Sequence, residues 1–452
     1  MAKIKKREKQ IVRSLLVVFV LFGILVPVVL ADDGTASSAG TSGGSWWSRL
    51  TSALPDSFSE LSSQDVGFKP RVKPHFAATS SYNSNVNLAA PRGKGHGAWQ
   101  GRIAPGIKVA IPFNKLYTEI DYTYGFSTTQ GPKTHSNINT HNLGALVRYD
   151  LSENTILGAG NNIQWSEVPG EAGRTFTLET ATAQVKHRIS PKLLGTITDT
   201  FQWFDDASKA ASPPLSLNNE FKDNGIGTGL TYDVTSDLSV ASSFDWNIRK
   251  FAHIEAKDYW QIKPQLSASY RLGPKTTVGG NFGWALRRFE HVLGTGNATE
   301  SELVYGASVS HLIGRKLTWK IDYAKTLVDT FDTSFVFRDS PEAANLDNLD
   351  RNFRVMKSHR IGSAATYYFN EKNSLSAFGD FQFLNGDSSD NFLGTENHEK
   401  AMEIGAGYSY RLTRYVSFEI LYAFGRRFST ENTAGRNEYT FHKATGGLNV
   451  SV

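Results

Sequence analysis

Residues 116–126 read LYTEIDYTYGF. In an extended chain Leu116, Thr118, Ile120, Tyr122, Tyr124 and Phe126 share one face, opposite Tyr117, Glu119, Asp121 and Thr123. A period of two with one apolar and one wet face marks a half-buried strand. The same alternation returns in Val416, Phe418, Ile420, Tyr422 and Phe424, opposite Ser417 and Glu419. It returns again in Leu238, Val240, Phe244, Trp246 and Ile248, opposite Ser239, Asp245, Asn247 and Arg249.

Outward from these segments the punctuation repeats. Short turns of one flavour open at Tyr149, His187, Tyr232, Tyr270, His311, Tyr368 and Tyr410, in steps of 38, 45, 38, 41, 57 and 42 residues. Each step is the length of a hairpin pair. Between the turns run longer polar connections near 84–97, 128–137, 167–173, 205–218, 252–258, 291–299, 334–355, 387–398 and 429–437. Short turns on one side and long loops on the other are the asymmetry of a transmembrane barrel. Nine long loops and eight turns, the first around Pro112–Lys115, predict an all-β fold. It is a transmembrane antiparallel up-and-down β-barrel of about 18 strands over residues 71–452, with 16 as the alternative. A β-propeller would need four strands per repeat where two are visible, and Gly-His and Trp-Asp signatures are missing. The ring or imidazole opening each turn is expected at the membrane interface. The last strand alternates through Leu448, Val450 and Val452, but ends in Val where barrels generally prefer a terminal aromatic.

Before the barrel, Lys3, Lys5, Lys6, Arg7, Lys9 and Arg13 precede an apolar run from Leu15 to Leu30 that closes on Ala31. This reads as a secretory signal peptide, residues 1–31. A retained anchor is the alternative, though the run is short and Pro27 interrupts it. Residues 32–70 read as a flexible periplasmic segment, with a short amphipathic helix over 46–61 carried by Trp46, Trp47, Leu50, Leu54, Phe58 and Leu61. That helix is a candidate docking element for a periplasmic partner.

The leader holds six of the 48 basic residues and one of the 43 acidic ones, leaving 42 of each. The basic pI of 9.0 therefore belongs to the leader and gives no support to nucleic-acid binding. With no cysteine there is no disulfide, thiol chemistry, iron–sulfur ligation or Cys-linked haem. A mean hydropathy of −0.33 beside 28 Phe and 17 Tyr is too polar for a helical membrane protein and suits a barrel.

The stretch PHFAATSSYNSNVNL at Pro74–Leu88, Ala104-Pro-Gly-Ile, and the Asn142–Trp165 hairpin with its Asp150-Leu-Ser-Glu turn resemble the β-barrel porin 2 family. The resemblance implies an outer-membrane barrel of the kind often associated with exopolysaccharide production and export. It brings no catalytic residues with it.

The strand phases put Arg102, Lys108, Tyr117, Glu119, Asp121, Arg148, Asp245, Arg249, Tyr259, Lys263, Arg287, Lys320, Asp322, Arg360, Asp380, Glu403, Arg411 and Glu419 on the wet face as lumen-lining candidates. The mixture of signs predicts weak ion selectivity, because a selective pore needs one sign to dominate its constriction. Tyr117 and Tyr259 are candidates for stacking on sugar rings. The Phe335–Val355 loop carries Asp339, Glu342, Asp347 and Asp350 without the spacing of a calcium site. No His is followed two positions later by Ser and no Asp-x-His pair occurs, so the motifs of barrel phospholipases and proteases are missing and no enzyme or cofactor is expected. The expected function is an outer-membrane channel for polar solutes or exopolysaccharide. The alternative is a non-conducting sheath or surface-loop scaffold. Expected partners are outer-membrane lipid and the barrel-assembly machinery.

Overall fold

The computed structural model describes residues 70–84, 97–131, 135–168, 174–206, 220–252, 258–292, 296–329, 355–386, 397–429 and 439–451. Among them every regular element is a strand: β1 (Arg71–Asn83), β2 (Ala98–Phe113), β3 (Leu116–Gln130), β4 (His135–Ser152), β5 (Thr155–Val168), β6 (Arg174–Ser190), β7 (Leu193–Asp206), β8 (Phe221–Asp233), β9 (Leu238–Phe251), β10 (Tyr259–Arg271), β11 (Thr276–Val292), β12 (Gly296–Ile313), β13 (Leu317–Asp329), β14 (Val355–Tyr368), β15 (Asn373–Gly386), β16 (Asn397–Arg411), β17 (Val416–Ser429) and β18 (Tyr439–Ser451). Each pairs antiparallel with its sequence neighbours, and β1 pairs with β18 from His75↔Ser451 to Asn83↔Lys443. The sheet therefore closes into an 18-stranded up-and-down barrel, which sets aside the 16-stranded alternative. The leader, the 46–61 segment and the 335–354 loop lie outside the described residues.

Closure leaves no edge strand among the described residues to pair with another chain. Eighteen strands spaced about 4.8 Å apart and tilted about 40° enclose a wall about 35 Å across between backbones. Alternation then decides which residues face in. On β2, Trp99, Ile103, Ile107 and Ile111 are each 41 to 59% exposed, while Ala104 and Ala110 between them are buried. On β11, Phe282 and Trp284 are exposed while Ala285, Arg287 and Phe289 are buried. The outer surface is thus apolar and uncovered, inverted relative to a barrel that lives in water.

The eight short turns hold their shape locally. Thr235, Asn370 and Thr413 each accept from the backbone N–H groups two and three residues on, at 2.8 to 3.2 Å. Gly273 and Gly314 take positive φ of 82° and 65°, as does Asn114 at 49°, which a tight reversal asks of Gly or Asn. At the short-turn end of the barrel, Thr155 and Thr276 hydroxyls meet Nδ1 of His187 and His311 at 2.8 and 2.7 Å on the outer face. One turn departs from the expected register. Tyr368 pairs with Ser374 on the inner face, and it is Tyr367, paired with Leu317 and Leu375, that points outward. The motif there begins one residue earlier than the sequence pattern suggests.

Candidate functional site

The inner wall is the candidate site, and its register follows from a few anchors. Lys108 on β2 pairs with Asp121 on β3, which pairs with Gly144 on β4, so that Arg148 four residues on shares their face. Continuing around the sheet, every one of the candidates from Arg102 to Glu419 falls on the polar side, opposite the exposed apolar residues. They form separate groups with different surroundings.

Near the short-turn end of β1–β4 the charges stay half-solvated. Lys108 Nζ donates to Glu119 at 2.7 Å and lies 3.6 Å from Asp121. Tyr117 donates its hydroxyl to the other oxygen of Glu119 at 2.6 Å. His75 lies 2.9 Å from the Thr123 hydroxyl and 3.6 Å from Asp121. Arg148 and Asp150 pair at 2.8 Å one strand further on. Arg102, Lys320, Arg411 and Glu419 stand exposed on the same inner face.

Near the long-connection end of β8–β12 the inner wall is packed. Arg249, 1% exposed, donates from Nη2 and Nε to a fully buried Asp223 at 2.7 and 3.2 Å. Its guanidinium lies 4.5 Å over the Phe221 ring and within 6 Å of Phe251 and Tyr259. Arg287 covers the Tyr259 ring at 4.2 Å and donates to Gln261 at 2.9 Å. Tyr259, Ala285, Phe289, Val304 and Leu327 form one buried apolar cluster. Tyr259 is therefore packed between Arg287 and Phe289 with 2% of its surface exposed, so its ring has no open face for a sugar. Of the two stacking candidates only Tyr117 remains half-open.

Against this packed wall, along β7–β13, lies a cavity of about 500 Å³, walled in part by Thr200, Asp245, Asn247, Gln261, Lys263, Gln265, Ser267, Asn281, Ser308 and Asp322. Asp245 and Lys263 stand 3.7 Å apart in it. Arg360 spans two strands, 3.6 Å from Asp322 and donating from Nε to Asp380 at 2.6 Å, with Glu403 paired opposite Asp380. Amides, hydroxyls and paired charges at this density can exchange hydrogen bonds with a hydrated solute.

Sequence reasoning missed Asp223, the partner that fixes Arg249, and Glu302, which accepts from Lys325 at 2.5 Å and lies 3.4 Å from Lys357. Asp223 was legible in principle, since Gly225, Gly227 and Gly229 follow it at a spacing of two. Glu302 was not, because the β12–β13 pairing stops at Tyr305↔Lys325 and the ion pair forms where it stops.

No protein-family model and no curated protein matches the sequence, so the β-barrel porin 2 resemblance rests on its short stretches alone. Solved structures with a similar fold do exist. Pseudomonas aeruginosa OccK5 (OpdH) is 11% identical at a TM-score of 0.50, over 84% of this chain and 98% of that one. The FrpB iron transporter from Neisseria meningitidis is 8% identical at 0.51, over 84% and 81%. At such identities the likeness is one of fold.

Proposed function

We propose that this chain is an outer-membrane channel, secreted by way of residues 1–31 and seated in lipid by its barrel, that passes polar solutes through the lumen. The observation that carries the reading is the inversion of the wall, with Ile103, Ile107, Phe282 and Trp284 bare outside and charges, amides and hydroxyls inside. An apolar belt of this kind is stable only against hydrocarbon, and barrels of 16–18 strands leave a water-filled passage. Transport then needs no cofactor and no reaction. Polysaccharide is the finer version of the substrate, with Tyr117 as the remaining aromatic contact. Barrel-assembly machinery would insert the chain, and residues 46–61 would meet a periplasmic partner.

The test is single-channel conductance of residues 32–452 refolded into a planar bilayer, with a size-graded series of sugars in the bath. Stable open steps whose conductance smaller sugars reduce and larger sugars leave unchanged are expected, and the crossover measures the lumen. A second reading, a plugged or sheath-like barrel, draws on the packed inner wall around Arg249, since side chains lining an open passage are hydrated. A folded, heat-modifiable barrel without conductance decides for it.

A further inference from the structure

Charged side chains on the outer face of the barrel divide into two sectors. On β5–β7 the outward ones are acidic: Glu167, Glu179, Asp199 and Asp205. Toward the long-connection ends of β8–β17 they are mostly basic: Lys222, Lys250, Arg288, Lys325, Lys357, Lys400 and Arg426, against Glu290, with Lys325 and Lys357 held by Glu302 at 2.5 and 3.4 Å. Alternation alone does not require this partition.

The basic residues converge on β14–β18. Lys400 pairs with Phe428 and Arg426 with Met402, so the two cations are diagonal neighbours on adjacent strands, and both are exposed. Such neighbours lie about 7–8 Å apart. His442 on β18 pairs with Phe424 and is the diagonal neighbour of Arg426 on the other side. His359 on β14 pairs with Phe383, which pairs with Lys400, placing His359 on the same line two strands away, about 10 Å.

Both imidazoles are anchored in the same way. The Tyr422 hydroxyl lies 2.7 Å from Nδ1 of His442, and the Tyr323 hydroxyl 2.9 Å from Nδ1 of His359. With the phenol donating to Nδ1, the ring proton sits on Nε2, a donor on the far side of the ring. The barrel supplies its own contrast on β3–β4. There Tyr122 holds His141 at 2.9 Å in the same diagonal geometry, but His141 stacks on Trp165 at 4.7 Å, in the sector where the outward charges are acidic.

We propose that Lys400, Arg426, His442 and His359 form a binding patch for the phosphate groups of an outer-leaflet glycolipid. The inference rests on the membrane seat proposed above. The patch is interleaved with aromatics, Phe383 standing between His359 and Lys400 and Phe424 beside His442, which marks the level at which headgroups meet hydrocarbon. A phosphomonoester carries between one and two negative charges and three acceptor oxygens. A guanidinium fork, an ammonium and the His442 N–H donor on three adjacent strands match that demand, and His359 adds a donor on the flank two strands from Lys400. The acidic sector on β5–β7 repels the same group, so the glycolipid gathers on one flank of the barrel.

The experiment refolds residues 32–452 into phosphatidylcholine vesicles and measures affinity for a fluorescent bisphosphorylated glycolipid and for the same lipid with both phosphates removed. We expect at least a tenfold preference for the phosphorylated form. It is abolished in Lys400→Gln/Arg426→Gln, and retained in Lys400→Arg/Arg426→Lys and in Glu179→Gln/Asp199→Asn. Equal affinity of the wild-type chain for the two lipids overturns the proposal whatever the variants do. An undiminished preference in the Gln variant overturns it too, and if native mass spectrometry then shows fewer chains per particle, the patch is an interface between copies. Heat-modifiability in phosphatidylcholine alone reads the membrane seat separately. A chain that does not insert overturns that seat and this inference with it.

Discussion

Two charged regions of one inner wall, Lys108–Glu119–Asp121 on β2–β3 and Asp223–Arg249 on β8–β9, each set a basic residue directly opposite an aspartate on the neighbouring strand. The first keeps 19 to 33% of its side-chain surface in water, the second at most 1%. Solvation separates their roles. A hydrated pair gains little Coulomb energy and can trade its partners for solute or water. A desolvated pair cannot be opened without leaving a charge stranded, so it acts as structure. The difference comes from what surrounds each pair: Arg249 is walled by Phe221, Phe251 and Tyr259, whereas Lys108 has His75, Tyr117 and open lumen beside it.

The sharpest way to break this contrast is to remove the acid from each region. Asp223→Ala should cost about 3–5 kcal/mol, the loss expected when a buried pair forfeits one partner, and Asp121→Ala less than about 1 kcal/mol. Urea unfolding of the barrel in lipid vesicles reads both, and equal losses would end the distinction. Arg249→Lys comes next, because it keeps the charge and discards the planar fork and its contact with Phe221. A loss of about 1–2 kcal/mol is expected from the missing bidentate and cation–π geometry. Smallest in stability but largest in conduction is Lys108→Glu. It should shift the reversal potential under a salt gradient toward cations at 0.1 M salt and lose that effect at 1 M, where the screening length falls to about 3 Å. A shift that survives high salt would mean the β2–β3 group is as enclosed as the other.

Much of this was legible in the chain. Strand phase could be read from LYTEIDYTYGF because a wall between water and an apolar surround imposes a period of two at every position. Strand number could be read because every connection is either a short turn or a long loop. The register slip at Tyr367 and Tyr368 shows where such reading weakens. Two aromatics in a row satisfy the motif equally well, and only pairing with Leu317 and Leu375 chooses between them.

The sequence by itself therefore determined the local and periodic properties of this protein: an all-β chain, eighteen strands, and which side of each strand faces water. Burial and partnership were decided by the tertiary structure alone. Nothing in the order of residues marks Arg249 as buried and Lys108 as hydrated, or joins Lys400 to His359 across an intervening strand. Those relations depend on which strands lie side by side, on the register between them, and on how far each point of the wall stands from water, and a period of two along one strand carries none of that information.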